Sequence, residues 1–172
     1  PPLEQKAGLY SGNLSFKVES DSTLTPADII NVPIHLEIET VFSLDVGIDE
    51  TGKMHFGTYV TGTEKEERKI LLKVKSNLGE PYQITQIVPR RLMNEEGEAV
   101  PTGQLTYFAS ETKTGAVEVT APLPVKEGET VVFTSDKIGT PEEFVLNYAL
   151  VMPKDIKSGN YNSEIKYSIT TL

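Results

Sequence analysis

The stretch ILLKVKSNLGEPYQITQIV, residues 70–88, decides the fold class. Ile70, Leu72 and Val74 share one parity while Leu71, Lys73 and Lys75 share the other, and Tyr82, Ile84 and Val88 repeat the pattern after Pro81. A period of two puts alternate side chains on opposite faces of an extended chain, so each run reads as a strand with one buried face and one wet face. Between the runs, Ser76-Asn77-Leu78-Gly79-Glu80-Pro81 gathers residues that reverse a chain: Asn and Gly tolerate positive φ, and Pro fixes the restart.

The same period extends in both directions. Upstream, Leu14, Phe16 and Val18 alternate with Ser15 and Lys17, and Ile34, Leu36, Ile38, Phe42, Leu44 and Val46 hold one parity through a bend near Thr40. Downstream come Val117 to Val119, Val131 to Phe133, then Phe144, Leu146, Tyr148, Leu150 and Met152, and finally Tyr161 to Ile169. Turn signals separate these runs, among them Asp49-Glu50-Thr51-Gly52, Asn94-Glu95-Glu96-Gly97, Lys126-Glu127-Gly128-Glu129 and Lys157-Ser158-Gly159-Asn160. The pattern predicts an all-β chain, an immunoglobulin-like antiparallel β-sandwich of about seven to nine strands with an extra N-terminal strand. Thr25-Pro26-Ala27-Asp28 allows one helical turn at most, and Glu64 to Arg68, though rich in helix formers, reads as a charged loop.

Composition narrows the partners. The 172 residues include 25 acidic and 16 basic side chains, a formal net charge of −9. Such a field repels phosphate backbones and anionic headgroups, so nucleic acid is excluded as a partner. The longest apolar run, Phe144 to Met152, is broken by Asn147 and falls well short of the roughly 20 residues that cross a bilayer, so membrane insertion is excluded too. Cysteine is absent, which removes disulfides and thiolate metal sites. The chain opens Pro1-Pro2-Leu3-Glu4 without Met, as expected of a processed product or of a piece of a longer protein.

Parts for catalysis are scarce. His35 and His55 are the two histidines, neither has a second His at ligand spacing, and both read as plain strand residues. Asp45, Asp49 and Glu50, and also Glu95, Glu96 and Glu98, cluster at turns without the alternating loop that preorganises calcium ligands. No G-x-S-x-G elbow and no phosphate-cradling loop is present. The expectation is a non-enzyme with no cofactor and no metal. The irregular segment 89–115, with Pro101 and Gly103, reads as a long excursion, and Tyr107 and Phe108 on it are the candidates for a contact surface.

The chain also repeats itself. Displaced by 151 positions, Lys6, Gly8 and Tyr10 meet Lys157, Gly159 and Tyr161, and Leu14, Phe16 and Val18 meet Ile165, Tyr167 and Ile169. A strand of the closing type therefore stands first, followed by Ser20-Asp21-Ser22-Thr23-Leu24-Thr25-Pro26, which reads as a linker. This divides the chain into residues 1–26, an N-terminal strand and linker, and 27–172, the sandwich. The strand is the end of a preceding domain, a first strand that shares good strand chemistry, or a strand donated to a neighbour. Tyr10, Leu14, Phe16 and Val18 are its candidate assembly residues, because an apolar strand must pair with an exposed edge of its own domain or of another copy.

Two resemblances add to this reading. Residues 54–88, with Phe56-Gly57, Gly62, an alternating strand and then Asn77 and Gly79, resemble the ASPM-SPD-2-Hydin group of immunoglobulin-like domains. That resemblance implies Phe56 anchored in the core and an Asn-x-Gly turn joining two central strands. The tail from Met152, with Pro153, Ile156 and Ser158-Gly159-Asn160-Tyr161, is similar to the closing hairpin of bacterial secreted sandwich domains, fimbrial and surface-array modules among them. It implies a secreted, periplasmic or cell-surface location in bacteria, a structural or adhesive role, and protein partners, self included, reached by strand exchange. The rival expectation is an accessory domain that binds carbohydrate or another ligand.

Overall fold

The structure is a computed structural model that describes residues 5–17, 29–48, 52–58 and 65–172. Among these residues it contains strands and no helix. The strands in chain order are β1 (Gly8–Lys17), β2 (Ile29–Ile38), β3 (Phe42–Gly47), β4 (Glu66–Ser76), β5 (Tyr82–Val88), β6 (Leu105–Ala109), β7 (Ala116–Val117), β8 (Leu123–Pro124), β9 (Gly128–Thr134), β10 (Glu143–Leu150) and β11 (Lys166–Thr171).

Nine of them form two antiparallel sheets, one in the order β3-β4-β10-β6-β8 and the other in the order β11-β5-β9-β7. Their inner faces meet in one core. Ile70, Leu72 and Val74 of β4 and Phe144, Leu146 and Tyr148 of β10 pack with Tyr82 and Ile84 of β5 and Val132 and Phe133 of β9. An aromatic chain crosses between the sheets: Phe42 to Tyr82 at 6.0 Å between ring centroids, Tyr82 to Phe133 at 5.9 Å, and Phe133 to Phe144 at 5.1 Å. Rings at these separations attract edge to face or offset, in addition to the area they remove from water.

The buried parity of β4, β5 and β10 is the parity marked by their apolar residues. The segment Glu64 to Arg68 departs from expectation. From Glu66 onward it is strand, not loop, because Glu66, Glu67 and Arg68 sit opposite Leu150, Ala149 and Tyr148 of β10. Ladder hydrogen bonds to a buried neighbour outweigh the helical preference of three charged residues. The Asn77-Leu78-Gly79 turn joins β4 to β5 and so carries the chain from one sheet to the other. Phe56 lies outside any strand; half-buried, it packs on the core with the Arg68 guanidinium 5.8 Å above its ring.

The remaining two strands form a separate ribbon. β1 pairs antiparallel with β2 along all ten of its residues, from Gly8 opposite Ile38 to Lys17 opposite Ile29. The N-terminal strand is thus paired within its own chain, and the segment 29–38, expected in the sandwich, belongs to the ribbon. The bend expected near Thr40 is the junction: the chain leaves β2 at Ile38 and enters the sandwich at Phe42.

Candidate functional site: the apolar face of the ribbon

In an antiparallel pair, directly opposed residues point to the same face. The register places Tyr10 opposite Leu36, Gly12 opposite Ile34, Leu14 opposite Val32, and Phe16 opposite Ile30. One face therefore carries Tyr10, Leu14, Phe16, Ile30, Val32, Ile34 and Leu36, with no charge among them. The other carries Ser11, Asn13, Ser15, Asn31, His35 and Glu37, together with Leu9, Ile29 and Pro33. Ser15 donates to Asn31 Oδ1 at 2.6 Å on this polar side. The apolar side is open to solvent, with Leu14 50%, Phe16 54% and Leu36 57% exposed. Isolated exposed leucines are ordinary, whereas a contiguous apolar face marks a surface that another surface covers.

Asn77 fixes the base of the ribbon. Its N–H donates to Val41 O at 3.0 Å, and its carbonyl accepts from Ala7 N–H at 2.9 Å. Its side chain accepts from Val41 N–H at 2.7 Å and donates to Glu39 O at 2.9 Å. Both ends of the ribbon base, Ala7 just before β1 and Glu39 to Val41 just after β2, are thus tied to one buried residue. An Asn carries both a donor and an acceptor on its side chain, which is what two facing backbone groups require.

The repeated motif is repeated in three dimensions. Gly8 and Gly159 adopt φ of 149° and 153°, in the range that side chains disfavour. Two residues on, Tyr10 donates to Lys6 O at 2.7 Å, and Tyr161 donates to Lys157 O at 2.9 Å. Each tyrosine thereby closes a turn onto the carbonyl four residues back, as corner tyrosines of sandwich domains do.

Their surroundings differ. A Cβ added at Gly159 would lie 3.1 Å from Asn94 Nδ2, while one at Gly8 would meet nothing within 4 Å. Beyond Gly159 the chain becomes β11, which lies along β5 with Tyr167 opposite Gln86 and Ile169 opposite Ile84. Ile165, Tyr167 and Ile169 all pack on the core. The Tyr167 hydroxyl meets that of Tyr148, which in turn donates to buried Gln86. Burial raises the Tyr148 hydroxyl well above its ordinary pKa of 10.0, with the neighbouring Tyr167 adding to the effect, and burial likewise raises Tyr167.

The other sequence candidates fall as follows. Val18 lies outside the described residues. Tyr107 does not offer a contact surface: it is an inward residue of β6, 2% exposed, and its ring stacks on Tyr148 at 5.7 Å. Phe108, on the other parity of β6, is half-buried against the same cluster. The segment 89–115 is accordingly part sheet, since β6 pairs with β10 through Tyr107 and Tyr148. His35 and His55 are both exposed, His35 opposite Ser11 on the polar side of the ribbon. Asp45 pairs with Lys75 at 2.7 Å and Glu98 with Lys157 at 3.8 Å, as solvated surface charges do. Sequence reasoning missed β2 as the other half of the apolar face, and Asn77 as its anchor.

No family model matches the chain, and no curated protein matches it. Among solved structures, it is similar to a chaperone–tip adhesin complex of CFA/I fimbriae, at 12% identity and a TM-score of 0.45, covering 97% of this chain and 53% of that one. It is also similar to a family 123 glycoside hydrolase from Clostridium perfringens, at 14% identity and a TM-score of 0.41, covering 76% of this chain and 25% of that one. The chain spans about half the length of the first and a quarter of the second.

Proposed function

We propose that this chain is a non-enzymatic structural or adhesive module of an exported or cell-surface bacterial protein, and that it joins protein partners through the apolar face of its ribbon. The observation that carries the reading is the pairing of two amphipathic strands into a face of seven apolar side chains that nothing within the described residues covers. The sandwich serves as a rigid base, and Asn77 holds the ribbon to it. The exported location is supported by the likeness of the closing hairpin to those of secreted bacterial sandwiches.

Association tests this reading. Light scattering over a range of concentrations compares the chain with the triple variant Leu14→Thr, Phe16→Thr, Leu36→Thr, which keeps strand-favouring residues but removes apolar surface. The parent is expected to associate with rising concentration, to be less soluble and to bind a hydrophobic dye, and the variant to lose all three. A parent that remains monomeric, with the variant's solubility and dye response, removes the ribbon as a docking face.

A further inference from the structure

We infer that the place beside β5 is specific for a tyrosine-bearing strand, and that the Tyr167 hydroxyl is what distinguishes β11 from β1 there. The sandwich thereby keeps its own closing strand and leaves β1 to the ribbon.

The two strands are otherwise close in character. Each is entered through the same turn, with matching glycine φ and the same tyrosine-to-carbonyl hydrogen bond. Ile165, Tyr167 and Ile169, which pack on the core, are matched at an offset of 151 by Leu14, Phe16 and Val18. A core tolerates exchanges among apolar side chains of similar size, so this pattern alone separates the copies weakly. Both strands also meet the turn between β4 and β5: Ala7 N–H, just before β1, donates to Asn77 O, and Leu172 N–H, just after β11, donates to Pro81 O. A chain that brings one strand pattern twice to one turn needs a feature that tells the copies apart.

One difference points inward. Tyr167 lies opposite Gln86, on the inner face of its sheet. Tyr148 has a single hydroxyl hydrogen and gives it to Gln86 Oε1, so the Tyr167 hydroxyl, 2.5 Å from that of Tyr148, is the donor to it. Tyr148 and Gln86 are both buried. With β1 in this place, Phe16 would bring a ring of the same shape and no donor, and the Tyr148 oxygen would lose the hydrogen bond it accepts. The cost of a buried polar group left short of a partner favours the tyrosine-bearing strand by roughly five- to a hundredfold. Other differences point outward, Lys166 against Ser15 and Ser168 against Lys17. The Lys166–Glu164 pair, 3.4 Å apart, is exposed at both ends and adds little.

Replacing residues 157–171 in the full chain by the sequence of residues 6–20 tests the assignment, with the connection to β10 unchanged. A second chain carries the same replacement with Phe16→Tyr inside the transplanted segment. In denaturant unfolding the second chain is expected to have a folding equilibrium constant roughly five- to a hundredfold above the first. Amide exchange along the β5–β11 ladder is expected to show protection in both, which places the transplanted strand beside β5. Equal equilibrium constants in the two chains overturn the inference, as does a first chain as stable as the parent. Failure of both chains to fold, or loss of the ladder protection in both, overturns it as well, because side chains other than residue 167 would then distinguish the strands.

Discussion

β1 and β11 are two copies of one motif in opposite circumstances. Around Tyr161 the turn is packed against Asn94, and the chain that follows lays Ile165, Tyr167 and Ile169, each half-buried, against the core. Around Tyr10 the same turn rests on the Asn77–Gly79 turn, with Ala7 N–H donating to Asn77 O and the Lys6 side chain beside Gly79, while Gly8 faces open space and the strand pairs with β2. The tyrosine-to-carbonyl hydrogen bond is the same in two different surroundings. What the surroundings add is stability, and variants at matched positions measure how much.

The largest difference is expected at alkaline pH. Tyr148 and Tyr167 hold their protons more tightly in the folded state, so their contribution is fully present below pH 10 and is lost as pH rises above it. Phe16, the counterpart of Tyr167, has no such proton. Cooperative unfolding coincident with the rise in tyrosinate absorbance is the expected outcome, and Tyr167→Phe should shift it to higher pH. Tyrosinate forming in a still-folded sandwich would contradict the buried hydroxyl contact.

Next in size is Tyr167→Ala, expected to cost about 2–4 kcal/mol in denaturant unfolding, against roughly 0–0.5 kcal/mol for Phe16→Ala in the monomer. Equal costs would mean that β1 already has a cover. Asn77→Ala should cost about 1–3 kcal/mol by stranding Val41 N–H and Glu39 O, and amide exchange should show the ribbon base opening first. Gly159→Ala combines strain at φ of 153° with crowding against Asn94 and should cost about 1–2 kcal/mol. Gly8→Ala is expected to leave the melting of the sandwich unchanged.

Much of the sandwich was legible in the sequence because burial on one face leaves a period of two. Ile70, Leu72, Val74, Ile84, Phe144 and Leu146 lie where their parity placed them. β7 and β8, at two residues each, are too short to carry any period. The site was half legible. The repeat singles out Tyr10, Leu14 and Phe16, but alternation alone does not distinguish a strand under a core from one in solvent, so β2 reads in sequence as a strand of the sandwich. Leu105, Tyr107 and Ala109 do alternate with Thr106 and Phe108, a signal masked by the neighbouring Pro101 and Gly103. Asn77 reads as a turn residue in sequence; its hold on Glu39 and Val41, 38 and 36 positions away, is a product of the fold.

That anchor has a mechanical consequence. A tensile load on whatever grips the ribbon runs down β1 and β2 to their base and arrives at a residue lodged between β4 and β5. Since β4 belongs to one sheet and β5 to the other, the pull divides between the two layers instead of peeling an edge strand from one of them. Under such a load the four hydrogen bonds of Asn77 would carry the base of the ribbon at the seam between the two sheets.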